Sequence, residues 1–570
     1  MQSSDNAGQE PDSALEAWLK LVGRTGEAPH HSPVYRMKLA GPGAERLAGH
    51  PMDPRPRNPE RGRRIIAGEW RFGAAKINTP ESCAPWGPPF PTPHFADRIH
   101  RFHWLRDVAA VGPSGEAHAR ALTIAWVDRY GKWEPFAWRT SVTADRVVNM
   151  LCAGPWLSEG MDGPVRKDFI ESLARQARHL LYSGEEEADP FGRFRIAIAL
   201  CLSGAALGEP GQIEDGLIRL EKECTRQILA DGGHASRSPE ALAEALMDLQ
   251  LTEEFLLRLG VNAPAFLTRL QQRMSSMLSF FTLPGGGLLP ANGGGDGSGG
   301  LAAAAMRPYA DTVARFSFAR LSGFQRIQAE DLTLYMDMGT GPERDLGGRA
   351  HAGALGIHVC DGAETLITSC AAHADLEPAM REASRQTPAH SVLSAAGENS
   401  AIFMPDVESG LRAPVGPAAI SARRLEENDQ YLLEGQHSGW RSRRGVIYRR
   451  RLYVGREGDQ ITGEDTLARP ISDADAVQTE KIPYEIRFHL HPDVKVAREE
   501  DGRTIFMGLP RTERLWRFRS EALLSLEDSR YWGAGDTRRT LQIVIRGEAE
   551  PDGDGSKPPN RVRWGLKRQG

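Results

Sequence analysis

The spacing of apolar residues changes once along this chain, near residue 310, and that change bounds the architectures open to it. Between about 95 and 280 the apolar positions recur every three or four residues. Leu217, Leu220, Cys224, Ile228 and Leu229 share one helical face, and Leu242, Ala245, Leu246 and Leu249 share another. Helices are predicted near 95–109, 114–129, 138–152, 164–182, 190–206, 211–229, 238–259 and 263–281, with no strand between them and no repeat of fixed length. From about 313 the period is two. Phe316, Phe318 and Arg320 alternate with Ser317 and Ala319, and Leu332, Leu334, Met336 and Met338 with Thr333, Tyr335 and Asp337. Turn signals recur at Asp361-Gly362, Ala396-Gly397, Gly455 to Asp459 and Asp501-Gly502. An all-helical array followed by a large antiparallel β-sandwich is the expected fold class.

A chain of 570 residues exceeds what one core supports. Four segments are expected: a partly irregular extension over 1–94, a helical domain over 95–310, a sandwich over 311–550 and a loose tail over 551–570 with a last strand at Val562 to Leu566. Within the extension, Ser13 to Val22 reads as a short amphipathic helix, Pro51 to Pro59 as an extended stretch and Ile65 to Phe72 as a short strand or loop. A net charge of −5 excludes a generally cationic surface, so nucleic acid is not an expected partner. The six cysteines, at 83, 152, 201, 224, 360 and 370, have neither zinc-knuckle nor redox spacing. Cys360 and Cys370 flank a hairpin turn whose register keeps them apart, so no disulfide is expected there. No stretch reaches the roughly 18 apolar residues of a membrane span. Met1 to Asn6 has no secretory pattern, which makes the cytoplasm the default location. The sequence specifies no oligomeric state.

Chemistry is suggested first by Asp231-Gly232-Gly233-His234-Ala235-Ser236-Arg237-Ser238-Pro239. This Gly-bent turn presents a histidine and an arginine between two predicted helices. Ser238 is positioned to cap the second helix, with Pro239 at its first position. Further on come Arg349-Ala350-His351-Ala352-Gly353-Ala354-Leu355 and Arg381-Glu382-Ala383-Ser384-Arg385-Gln386-Thr387-Pro388-Ala389-His390-Ser391-Val392, each running into alternating apolar positions. In this order the motifs resemble those of the heparinase II/III family of polysaccharide lyases. Further likeness lies at Phe102 to Arg106, Trp138-Arg139, Ser322 to Arg326 and Ile486 to Pro492, so that the resemblance spans roughly 95 to 545.

The resemblance implies an incomplete (α/α) toroid joined to the sandwich, with a groove between them. It implies an acidic, uronate-containing polysaccharide as substrate and β-elimination as the reaction. It also implies work in the periplasm or cell envelope, in conflict with the cytoplasmic default. Elimination requires a group that neutralises the C5 carboxylate, a base for the C5 proton and an acid for the departing O4. By resemblance, His234 and His351 are the catalytic candidates. Arg237, Asn292, Arg381, Arg385 and His390 are the substrate-binding ones.

Departures from the family pattern are as informative. His-Ala-Asp reads His351-Ala352-Gly353 here, the histidine common before it is Arg349, and Thr368-Ser369-Cys370 stands where some relatives hold a metal. With so few ligands left, no cofactor is expected, and a zinc or calcium site like that of some relatives is depleted. Ser322-Gly323-Phe324 replaces the usual Ser-Gly-Tyr, which leaves Tyr309 as the nearest catalytic tyrosine. The glycine-rich stretch 284–300 carries no Gly-Lys-Ser/Thr and reads as a rim loop, not a phosphate loop. Arg449 and Arg451 would share one strand face and Arg450 the other, either as a charged outer face or, with Trp440, as a contact for sulfated sugars. Trp104, Trp126, Trp138 and Trp156 read as helix-packing core. Two other functions fit the same residues. A non-catalytic binder of anionic glycans accounts for the missing aspartate and tyrosine. A glycoside hydrolase would need two inward carboxylates, for which Glu159, Asp162 and Asp231 are the nominal candidates.

Overall fold

The computed structural model describes residues 33–569 apart from 42–43, 81–82, 88, 310–313, 315, 374–375, 406–411, 418–419, 429, 471–479, 534 and 536. The helix expected over Ser13 to Val22 lies outside the described residues. Contacts divide the chain into two compact units. One holds the described residues up to Arg226 together with Met247–Gln271, and the other holds Gln227–Leu246 together with the chain from Gln272 onward. This division cuts across the partition expected at 310/311, because the helical residues 227–246 and 272–306 cluster with the strands.

The first unit is helical. Proline opens the helices Pro59–Ile66, Pro93–His100, Pro113–Tyr130, Pro190–Leu207 and Pro210–Gln227, where its missing N–H costs nothing. The side chains of Asn58, Thr92 and Asp189 cap three of them. Pro190–Leu207 is the most apolar, with a mean hydropathy of 1.3 over 18 residues, a value that would suit a membrane span. However, 78% of it is buried, against Thr140–Cys152 and Gly163–Ser183. The stretch 59–90 is less irregular than expected. A helix covers 59–66, and Glu69–Phe72 pairs with Ala75–Asn78 as a hairpin. Trp70 meets Trp104 edge-on at 5.3 Å and Trp86 stacks on Phe102 at 5.6 Å, so the extension helps to fill the helical core. Trp104, Trp126 and Trp138 are fully buried, whereas Trp156 is only partly so.

The second unit carries two large antiparallel sheets, besides a small pairing of Ile402–Pro405 with Arg412–Val415. The larger, of nine strands, runs through Leu524–Tyr531, Arg538–Ala549, Ile482–Leu490, Glu364–Thr368, Ile357–Asp361, Leu332–Asp337, Phe324–Ala329 and Phe318–Ala319, with Leu393–Ala395 also paired to Ile482–Leu490. The other, of eight, runs through Ile420–Glu427, Gln430–His437, Ile447–Val454, Gln460–Ala468, Arg561–Gln569, Leu515–Ser520, Thr504–Gly508 and Lys495–Arg498. Alternate residues of both build one shared apolar core, including Ile327, Val359, Leu452, Phe488, Phe518 and Trp564. Residues 561–569 correct the tail expected over 551–570. They form an interior strand, paired on both edges, whose Trp564 and Leu566 complete the core. Cys360 and Cys370 are unbonded, and Cys360 stands opposite Thr365.

The arginines of Ile447–Val454 do not form an outer sugar-binding row. Arg451 pairs with Glu434 and Glu464, and Trp440 is fully buried. Arg450 is also fully buried, with its Nε 2.7 Å and Nη2 3.1 Å from the two oxygens of Asp465. Tyr448 Oη and Trp564 Nε1 donate to the same carboxylate, at 2.5 and 2.7 Å. Arg450 Nη1 donates to the carbonyls of Leu355 (3.0 Å) and Ser391 (2.8 Å). A buried ion pair stabilises only when its other donors and acceptors find partners, and here four guanidinium N–H groups and both carboxylate oxygens do. Asp465→Ala should therefore cost about 3–5 kcal/mol by stranding the guanidinium. Urea unfolding should show a large drop for Asp465→Ala and a smaller one for an Arg450→Met/Asp465→Leu double variant. Equal losses in the two would refute this reading of the pair.

Candidate functional site

The candidate residues for elimination and for binding a uronate fall in the second unit, whereas Glu159 and Asp162, named for a hydrolase, fall in the first. The turn after Gln227 is fixed from inside by Asp231, whose carboxylate accepts the N–H groups of Gly233 (3.1 Å), Leu321 (2.8 Å) and Ser322 (2.8 Å). Gly232 has φ +91°, and a Cβ there would lie 2.3 Å from the carbonyl oxygen of Arg273. Only glycine fits that position. Ser238 Oγ accepts the Ala241 N–H and caps the next helix as expected.

His234 is 3% exposed. Its Nδ1 accepts the Ser236 N–H at 3.1 Å and lies 2.8 Å from the Ser236 hydroxyl, which places the proton of the neutral ring on Nε2. Burial, with a smaller effect from Arg349, lowers its pKa to about 3. In this structure His234 is a buried part of the turn's own hydrogen bonding.

Arg237, with φ +60°, donates to the carbonyls of Ser322 and Gly339, pairs with Asp337 and lies over the Phe324 ring at 4.7 Å. It clamps the turn to the sheet, in contrast to the substrate contact expected of it. Asn292 links this turn to the next segment. Its amide N–H donates to the Arg237 carbonyl (3.0 Å), and its Oδ1 accepts the His351 N–H (2.8 Å).

His351 and His390 come together, with ring centroids 5.2 Å apart. The His390 ring lies on Gly353, where a Cβ would approach it to 2.9 Å. A side chain at 353, the place of the aspartate in the family pattern, and His390 in this position exclude each other. Beside them is a notch of about 50 Å³, walled in part by Asn292, Tyr335, His351, His358, Ser369 and His390. It holds a few water molecules, not a sugar ring. His351 Nδ1, His390 Nε2 and both ring nitrogens of His358 have no hydrogen-bond partner. Burial lowers the pKa of His358 and His390 to about 3 and holds His351 well below the usual imidazole range. The site therefore presents neutral rings, able to accept or donate one hydrogen bond at each open nitrogen.

Arg385, 2% exposed, is also structural. It donates to the carbonyls of Ala350, Gly347 and Arg412 and so holds the backbone beside His351. Arg381, on the helix Pro378–Ser384, donates to the Leu376 carbonyl. Tyr309 ends a short turn after the helix Gly299–Met306 and is not a wall of the notch. The tyrosine that does line it, Tyr335, escaped sequence reasoning, as did His358. Both sit at ordinary strand positions, and period two places Tyr335 in the sheet without indicating what it faces. Its hydroxyl donates to the Phe280 carbonyl at 2.7 Å, and burial raises its pKa to about 12. A second histidine layer supports the notch. One ring nitrogen of His489 lies 2.8 Å from the Pro388 carbonyl, and its backbone N–H donates to Ser391 Oγ. Among the described residues, no three His, Cys, Asp or Glu side chains converge as a metal site.

Residues 311–565 match the heparinase II/III-like C-terminal family model. FtsZ-localized protein C of Caulobacter vibrioides is 32% identical over 557 residues, covering 95% of this chain and 93% of that protein. Among solved structures, heparinase III aligns with a TM-score of 0.65 at 12% identity, over 85% of this chain and 78% of its own. Heparan sulfate lyase HepC of Pedobacter heparinus aligns with a TM-score of 0.54 at 13% identity, over 99% and 89%. These two likenesses establish the fold, a helical toroid followed by an antiparallel β-sandwich. With a relative 32% identical over nearly its whole length and a family model covering its sandwich, this chain belongs to the heparinase II/III-like family.

Proposed function

We propose that this protein binds an acidic saccharide at the rim of the imidazole notch and does not cleave it. One observation carries this reading: the groups expected to neutralise a uronate carboxylate already have internal partners. Arg237 is paired with Asp337, Arg385 is saturated by carbonyls, and Asn292 bridges two backbone segments. Without such a group the C5 proton stays too weakly acidic for a neutral imidazole to remove. Among the described residues no tyrosine is placed to act as the acid, because the Tyr335 hydroxyl is committed to Phe280 and Tyr309 is not a wall of the notch. What remains suits binding. His351 Nδ1 and His390 Nε2, buried and without partners, border the notch, and Arg349, 47% exposed and paired with Glu244 at 3.7 Å, places a cation two residues from His351.

A β-eliminase is the second reading, favoured by the neutral, unpartnered His351 Nδ1 as a base. The likeness to FtsZ-localized protein C further supports a role where FtsZ assembles. A fluorescent fusion expressed in the source bacterium should then coincide with FtsZ, and a uniform distribution in dividing cells would count against that role.

A panel of uronate polysaccharides should bind saturably, and Arg349→Ala should weaken binding by about tenfold, the order expected for one charge-assisted contact. Absorbance near the unsaturated-uronate band, roughly 230 nm for an acid conjugated to an enol ether, should stay flat through the incubation. A rise in that absorbance that His351→Ala abolishes would replace the binding reading with the eliminase one. Absence of any binding would sink both.

The buried imidazoles also set a pH dependence. His234, His358 and His390 have pKa values near 3 when folded and about 6.5 when unfolded. Their contribution to stability is therefore complete above about pH 6.5 and is lost as pH falls toward 3, by at most about 1.4 kcal/mol per pH unit for each ring. The thermal midpoint should fall between pH 6.5 and 4.5, and His358→Leu should flatten that fall. A midpoint independent of pH over this range would contradict the burial of neutral rings.

A further inference from the structure

The first unit encloses a cavity of about 640 Å³ that no step above uses. This is the size of a small-molecule pocket, typically about 300–1,000 Å³. The segment 48–57 forms one side, and the ends of Leu105–Ala109, Thr140–Cys152, Gly154–Ser158 and Pro239–Arg258 form the others. Every lining residue belongs to the first unit. The walls include Leu105, Trp156, Phe255 and Leu259, an apolar surface with an aromatic edge.

The charges around the cavity are unbalanced. Four arginines line it (Arg55, Arg57, Arg106 and Arg258) against one carboxylate, Asp53, a net of +3. Asp53 is held by both Arg55 and Arg106, at 3.0 Å each, which keeps its carboxyl ionised. Behind the wall, Asp248 takes Arg55 and Arg195, both at 2.5 Å. Every carboxylate of this network is therefore already paired. Arg57 is exposed and meets no carboxylate among the described residues. Arg258 donates to the His50 carbonyl at 2.8 Å and lies over the Phe255 ring at 5.6 Å, with its charge likewise unmatched. Two guanidinium groups without counter-ions beside an apolar chamber suit a ligand with one anionic head and an apolar body.

We propose that this cavity binds a single-headed anionic amphiphile, its carboxylate or phosphate on Arg57 and Arg258 and its apolar body against Trp156, Phe255 and Leu259. The site is independent of the saccharide reading, since it shares no residue with the notch. The full-length protein would be titrated calorimetrically with dodecanoate and with dodecyl phosphate, below their micellar concentrations. Dodecyltrimethylammonium and dodecanol serve as controls of charge. One equivalent of at least one anion should bind, and the stronger of the two identifies the natural head group as carboxylate or phosphate. The cation and the alcohol should bind at least about tenfold more weakly, one unmatched charge being worth that much. Arg57→Glu, at an exposed position that leaves the core intact, should weaken anion binding about tenfold or more. Ala109→Phe, which fills the chamber, should abolish it. The proposal is overturned if neither anion binds, if the cation or alcohol binds as well as the anions, or if binding survives both substitutions in protein with an unchanged circular dichroism spectrum.

Discussion

The sandwich depends most on the buried pair Arg450–Asp465. Both ions are fully buried, and their desolvation is offset by the further hydrogen-bond partners that surround the pair. Two of those partners are the carbonyls of Leu355 and Ser391. Leu355 lies four residues beyond His351, and Ser391 immediately follows His390. The guanidinium thus fixes, from inside the core, the two segments whose rings meet at the notch. His489 secures the His390 segment from another strand, and Arg385 secures the backbone at Ala350. The geometry of the imidazoles follows from these buried polar groups, while the apolar residues fix the sheets.

The same logic separates scaffold from chemistry. Arg237, Asn292 and Arg385 have the residue types of a uronate-binding site, yet each is satisfied by the protein itself. Gly353 and His390 show the trade most directly. Without a side chain at 353, the His390 ring can lie on the backbone, and once there it leaves no room for a carboxylate. A heparinase-like fold can therefore persist while the groups that drive elimination become structural.

Much of the fold was legible because periodicity and punctuation are local signals. Apolar spacing of three to four residues located most helices to within a few residues, the change to period two located the sheets, and the ordered motifs around His234, His351 and His390 indicated the family. Long-range partnerships were not legible. Nothing near Arg237 announces Asp337, which lies 100 residues away and converts a candidate ligand into a clamp. Arg450 reads as a surface charge until Asp465 is seen beside it. The last strand was expected from its alternating residues at Val562 to Leu566, but its pairing on both edges, which makes Arg561–Gln569 interior, was not legible. Tyr335 and His358 are ordinary members of an alternating pattern, and only the sheet's packing brings them to the notch.

The claim beneath all of this is that the notch holds neutral, buried imidazoles. Nitrogen-15 correlation spectra of the imidazole side chains, recorded from pH 8 to 5 on histidine-labelled protein, examine it directly. The resonances of His351 and His390 should keep the shifts of neutral rings throughout. Titration of either ring with a midpoint near 6.5 would show the site open and solvated, and would contradict the structural basis set out above.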